Sequence, residues 1–123
     1  MAKIALIEDD MAIVQMYRMK FEAEGYDVVT AGDGQAGLTL LSNTNVDIVL
    51  LDLMMPNMNG DEMLEELRKT DYGKNLPVII LTNMGENEAP NSIKQDELVK
   101  DFILKASMTP KDVAETVAGV LDS

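Results

Sequence analysis

Acids, one lysine and one hydroxyl, each at the end of an apolar run, are the groups in this sequence able to do chemistry. Glu8, Asp9 and Asp10 follow "KIALI", Asp52 follows "VDIVLL", Thr82 follows "PVIIL" and Lys105 follows "DFIL". The chain has neither cysteine nor histidine, which removes thiolate and imidazole ligands, thiol nucleophiles and a histidine general base. Carboxylate, ammonium, hydroxyl and oxygen-bound metal chemistry remain. Carboxylates gathered from separate strand ends repel one another at low dielectric, so such a cluster needs a proton or a cation. An all-oxygen site with few protein ligands suits Mg²⁺, or Mn²⁺ in its place, because these ions keep several waters and accept phosphate oxygens. A phosphoryl group entering that cup meets the cation, the Lys105 ammonium and the Thr82 hydroxyl. Positioning and charge neutralisation are most of what phosphoryl transfer requires.

The elements that must position these groups can be read from periodicity. Apolar runs of strand length cover 3–8, 46–52, 77–82 and 101–105, with a weaker one at 26–31. They are continuous rather than alternating, which suits strands covered on both faces of a parallel sheet. Between them lie helical patterns. Ile13, Val14, Tyr17 and Phe21 fall on one side of a first helix that Gly25 can close. A second, over 34–42, carries Ala36, Leu40 and Leu41, and a third, over 60–70, carries Met63, Leu64 and Leu67. The last begins at Thr109, a suitable N-cap, with Pro110 at its first position, and buries Val113, Val117 and Val120 or Leu121. Pro90 cannot sit in a helix interior, so a fourth helix starts near it or is short. Strands alternating with helices indicate a doubly wound α/β layer, whose ligands bind outside the C-terminal strand ends. In that frame Asp10 caps the first helix, Gly60 is a turn or helix-start residue, the methionines are mostly core filler, and the 56–60 turn lets the backbone leave the pocket.

With 22 acids against 10 bases the formal charge is −12, which disfavours nucleic acid and anionic lipid as partners. The amino terminus has too few apolar residues before its acids for a signal peptide or a span, and the expected location is the cytoplasm. At 123 residues and 46% hydrophobic, residues 1–123 are expected to form one domain.

"ALIEDD", "IVLLDLMMPNMNG", "VIILTN" and "DFILK" resemble the signatures of the receiver domain of two-component response regulators, in order and along essentially the whole chain, here as a stand-alone domain. The resemblance implies a flavodoxin-like (βα)5 fold with sheet order 2-1-3-4-5. It implies phosphorylation of Asp52 by a histidine kinase, a phosphotransfer protein or a small acyl phosphate. Mg²⁺ would be bound by Asp9, Asp52 and the backbone carbonyl of Met54, with Glu8 acting through water. Thr82 would shift toward the phosphoryl group, Lys105 would pair with it, and Phe102 would be the switch aromatic. The face of helix 4, strand 5 and helix 5 would then engage a downstream protein target, with the domain a monomer or a weak phosphorylation-dependent dimer. No enzymatic turnover is implied beyond self-phosphorylation and slow self-dephosphorylation.

Several positions depart from the family pattern. Asn83 stands where a very small residue is usual, which narrows access to the acyl phosphate. Met54 and Met84 occupy positions that tune hydrolysis, and their apolar side chains would restrict the attacking water and lengthen the phosphorylated lifetime. Ala106 follows Lys105 in place of a proline in a cis bond; a cis bond to alanine costs about 3–4 kcal/mol, so the loop takes a trans path or stores strain. Leu98 and Val99 replace a Gly-Ala pair. Two alternatives stay open from the residues: an aspartate-nucleophile Mg²⁺ phosphatase, which lacks its second acid because Met54 stands there, and a pseudo-receiver that binds partners without phosphorylation, motivated by Asn83 and Ala106.

Overall fold

The computed structural model describes residues 2–83, 89–105 and 108–122. Among these, β1 (Lys3–Ile7), β2 (Asp27–Ala31), β3 (Ile48–Asp52), β4 (Val78–Thr82) and β5 (Val99–Leu104) alternate with α1 (Met11–Ala23), α2 (Gly34–Asn43), α3 (Gly60–Arg68), α4 (Asn91–Lys94) and α5 (Pro110–Leu121). The strands form one parallel sheet in the order β2-β1-β3-β4-β5, as the family resemblance implies. Every residue of β3 and β4 is buried, which is why these segments carry no polar alternation.

Successive strand residues point to opposite faces, and the two faces build two core layers. Ile4, Leu6, Leu50 and Ile103 pack with Val14, Tyr17, Phe21 and Val117 of α1 and α5. Ala5, Ile7, Leu51 and Ile80 pack with Leu41, Met63, Leu67 and Ile93 of α2, α3 and α4. The pairing continues just past the assigned strand ends, where the Glu8 N–H donates to the Ala31 carbonyl and the Lys105 N–H to the Thr82 carbonyl, both at 3.0 Å. Extended by one step, the alternation puts Glu8, Asp52 and Lys105 on the α1/α5 face, and Thr82 on the other. The register pairs Ile7 with Leu51, Asp52 with Leu81 and Thr82 with Leu104, so the polar termini of four strands end at one level.

The caps match the expectations. The Asp10 carboxylate accepts from the N–H groups of Ala12 and Ile13 at the start of α1, and Gly25 follows its end with φ 95°. Thr109 and Asp112 cap α5 reciprocally, with Pro110 in its first turn. As Pro90 requires, α4 begins directly after it and is four residues long.

Two expectations need correction. Ala36 is exposed, and α2 instead buries Gly34, Gly37 and Leu41. This helix approaches its neighbours so closely that a Cβ on Gly37 would lie 3.1 Å from the Ile7 side chain and 3.0 Å from Met63 Sδ, so glycine permits the contact there and Leu41 completes it. The methionines divide: Met55 and Met63 are core residues, but Met11, Met16, Met19 and Met54 are exposed. The buried stripe of α1 is already filled by Val14, Tyr17 and Phe21, which turns the three α1 methionines outward.

Arg68, the last residue of α3, closes the far side of the fold. Its guanidinium donates to both Asp96 oxygens at 2.8 and 3.2 Å, and to the carbonyls of Gly73 and Leu76 at 2.8 and 2.7 Å. Asp96 Oδ1 also accepts the Leu98 N–H at 2.9 Å, so one cation ties α3, the following loop and the approach to β5. Removing it leaves a half-buried carboxylate and two carbonyls short of donors. Arg68→Ala is expected to lower the unfolding free energy by about 2 kcal/mol, read from the urea midpoint; an unchanged midpoint would show that water replaces all four bonds. No helix among the described residues is long and apolar enough to cross a membrane.

Candidate functional site

Glu8, Asp52 and Thr82, at 1%, 2% and 1% exposure, are the buried polar or charged residues among those described. Each ends a central strand. Lys105, following β5, reaches over the same edge of the sheet: its Nζ lies 2.7 Å from Glu8 Oε2 and 3.0 Å from Asp52 Oδ2. The remaining carboxylate oxygens take backbone donors, Asp52 Oδ1 from the Met54 N–H at 3.2 Å and Glu8 Oε1 from the Asp10 N–H at 3.1 Å. Asp9 is exposed at the rim, and oxygens of Glu8, Asp9 and Asp52 all lie within 4.8 Å of one another. Sequence reasoning thus named the acids and the lysine that the fold gathers. Thr82 ends the neighbouring strand, buried and on the opposite face parity.

Burial is the main cause that pushes the Glu8 carboxyl up to about 7; the Lys105 ammonium and the Asp10 N–H pull it down, and the Asp52 charge pushes it up further. For Lys105, burial acts downward, but its bonds and attraction to Glu8 and Asp52 outweigh it and hold the ammonium above the usual lysine value. Three carboxyl groups against one ammonium give the cup an excess of acid over base. An all-oxygen donor set of that kind, with one acid open to solvent, fits a hard divalent cation.

The loop after β3 keeps the backbone clear of this cup. A Cβ on Gly60 would run into the Asp52 carbonyl oxygen and lie 2.9 Å from Leu53 Cα, and the Gly60 N–H donates to the Leu53 carbonyl at 3.0 Å. Glycine is therefore what lets α3 sit directly against the end of β3. Asn57 is left-handed (φ 67°) and its amide donates to Asp33 Oδ2 at 2.8 Å. Asp33, also bonded to the Ala36 N–H, is held below the usual carboxylate range by these two donors. The tie between Asn57 and Asp33 escaped the sequence analysis: "PNMNG" signals a turn but not its partner.

Met54 is 65% exposed, and its N–H engages Asp52 at the mouth of the cup. Asn83 is exposed immediately after Thr82. Phe102 is half-buried and packs against the layer of α2, α3 and α4, on the face away from the Glu8, Asp52 and Lys105 side chains. Met84 and Ala106 lie outside the described residues.

The chain is similar in sequence and fold to proteins of known family. A sequence model of the response regulator receiver domain matches residues 4–118. The chain is 42% identical over 87 residues to a transcriptional regulatory protein, the CpxR homolog of Haemophilus influenzae, a match covering 71% of this chain and 37% of that protein. It spans less than half the length of the curated relatives it matches. Among solved structures it resembles the chemotaxis response regulator CheY4 of Vibrio cholerae, with a TM-score of 0.88, 28% identity and 98% of each chain covered. It also resembles the response regulator TrrA of Thermotoga maritima in complex with Mg²⁺ and BeF, with a TM-score of 0.84, 27% identity, and 98% of this chain and 99% of that one covered. Five parallel strands in the order 2-1-3-4-5, with an acidic cluster at their C-terminal edge and a family match over nearly the whole chain, lead to one conclusion: this chain belongs to the response regulator receiver domains, the signalling modules of two-component systems.

Proposed function

We propose that Asp52 is the phosphoacceptor of this domain, taking a phosphoryl group from a histidine kinase or phosphotransfer protein and passing the change to a downstream protein through the face of α4, β5 and α5. One observation carries this: Asp52 is buried at the end of the central strand yet touches a lysine ammonium at 3.0 Å and shares a cup with Glu8 and Asp9. Its carboxylate oxygen attacks phosphorus, the phosphorus–nitrogen bond of the donor imidazole breaks, and the electron pair leaves with that nitrogen. Lys105 moves from the carboxylates to the incoming phosphoryl oxygens, whose charge it neutralises. Asp9, Asp52 and the Met54 carbonyl, with Glu8 through water, are the groups that would hold Mg²⁺. That ion supplies charge neutralisation on the transferred group. Thr82 then turns its hydroxyl toward the phosphoryl group, and Phe102 follows into the space vacated on its side of the sheet.

Met54 and Asn83 flank the cup and restrict the approach of water, so the acyl phosphate is long-lived. The phosphatase alternative fails on family membership and on the missing second acid. The partner-binding alternative without phosphorylation does not account for Asp9, Asp52 and Lys105 being assembled intact.

Incubation with acetyl phosphate and Mg²⁺, followed by intact-mass measurement and peptide mapping, tests the proposal. An increment of one phosphoryl group on Asp52 is expected, suppressed by chelator and persisting for hours after the donor is removed. No increment, or one on another residue, would overturn the acceptor role; decay within seconds would overturn the roles given to Met54 and Asn83.

A further inference from the structure

Tyr17 is 0% exposed, with its ring stacked on Phe21 at a centroid distance of 6.1 Å. Its hydroxyl has no hydrogen-bond partner among the described residues, and Glu8 Oε2 is the other buried side-chain oxygen in that condition. Glu8 Oε2, however, has the Lys105 ammonium at 2.7 Å as its partner. Buried polar atoms without partners are few in native proteins, and each calls for an explanation. Phenylalanine would fill the same volume without the penalty, so the hydroxyl itself is what must be explained.

The phenol and this carboxylate oxygen share one side of the sheet. Glu8 continues the alternation of Ile4 and Leu6 toward α1 and α5, Lys105 continues that of Ile103, and Tyr17 projects from α1 into the same layer. The charges that act on the phenol are those of Lys105 and Glu8: burial raises its pKa, Lys105 pulls it down and Glu8 pushes it up.

We propose that Tyr17 is a positioning residue of the phosphoacceptor site, its hydroxyl donating a hydrogen bond to Glu8 Oε2 once Lys105 turns from Glu8 to the phosphoryl group on Asp52. This rests on the acceptor role proposed for Asp52. In the present arrangement Lys105 serves both carboxylates, at 2.7 and 3.0 Å. A phosphoryl group on Asp52 brings more negative charge and claims the ammonium. Glu8 is then a buried carboxylate whose remaining donor from the described residues is the Asp10 N–H on its other oxygen, Oε1, and Oε2 is left without the ammonium. The phenol supplies the missing donor and holds Glu8 in place. A bond absent in the resting state and present in the loaded one favours the loaded state by its own free energy.

Tyr17→Phe, compared with the wild type, separates this from simple packing. The urea midpoint without ligand is expected to be unchanged or higher, since an unsatisfied hydroxyl is removed. Affinity for beryllofluoride in the presence of Mg²⁺, an analogue of the acyl phosphate, is expected to fall about tenfold by calorimetry. In the wild type the Tyr17 Cζ resonance is expected to shift on binding. Unchanged affinity in Tyr17→Phe, whatever its stability, or an unmoved Cζ resonance, overturns the positioning role. A wild-type chain that fails to bind beryllofluoride, or binding that survives Asp52→Asn, instead overturns the acceptor role of Asp52, and this proposal falls with it.

Discussion

Asp52→Asn is expected to abolish phosphoryl uptake while leaving the fold as stable as the wild type near pH 5, and more stable by about 1 kcal/mol near pH 8. The loss of uptake follows from replacing a carboxylate nucleophile with an amide that cannot form the acyl phosphate. The stability effect comes from Glu8. Its folded-state pKa of about 7 lies above its ordinary 4.5, so the folded protein binds this proton more tightly than the unfolded chain. Stability from this group is therefore fully present below pH 4.5 and is lost as pH rises to 7, by at most about 3 kcal/mol at 1.36 kcal/mol per unit. The Asp52 charge is one of the causes that raise Glu8. Removing it narrows the gap and returns part of that loss above pH 7, while Lys105 stays with Glu8 and the Met54 N–H still finds an acceptor. Urea unfolding at pH 5 and pH 8 measures the difference. A variant weaker than wild type at pH 8 would mean that Asp52 stabilises through Lys105 more than it repels Glu8.

Proton and cation compete for the same carboxylate, so these pH limits also bear on the metal. Glu8 serves an ion best when ionised, and the affinity for Mg²⁺ should climb up to about pH 7 and then level off.

How far the sequence carries the argument depends on the range of the interaction. The positions of Glu8, Asp52 and Lys105 are legible because each terminates a continuous apolar run, and a doubly wound sheet brings such termini to one edge without further information. Asp10, Thr109 and Pro90 are legible because caps and proline act within one turn. Ala36 fails for a related reason: the helical pattern of α2 is weak, and its contact face is set by how closely Gly37 approaches Ile7 and Met63, which periodicity does not encode. The methionines depart from expectation because apolar type alone does not set burial: α1 carries more apolar residues than its buried stripe can hold. The bond from Arg68 to Asp96 spans 28 positions, and nothing local at either end announces the other. Tyr17 is legible as a core residue from its place beside Val14 and Phe21, but its hydroxyl becomes visible as a separate problem only when the strand faces are known.

Lys105→Ala is expected to reduce the rate of phosphoryl uptake about 100-fold, as for other donors that meet charge developing in a transition state. It is also expected to lower the unfolding free energy by about 3 kcal/mol near pH 8 and by far less near pH 5. The pH contrast separates charge from packing. Near pH 8, above the Glu8 pKa of about 7, Glu8 is a buried carboxylate, and Lys105 is the ammonium that it and the buried Asp52 share. Near pH 5 Glu8 already holds its proton, since its pKa is about 7, so removing the ammonium leaves one buried charge fewer uncompensated. The ammonium itself stays charged over this whole interval because its pKa is raised above the ordinary lysine value, so the wild type supplies a constant cation against which the carboxylates titrate. Equal losses at the two pH values would show that the contribution of Lys105 is the packing of its alkyl stem. If charge dominates, Mg²⁺ should raise the urea midpoint of Lys105→Ala at pH 8 by more than it raises that of the wild type. In the variant the cation relieves two uncompensated carboxylates, whereas in the wild type it competes with an ammonium already in place.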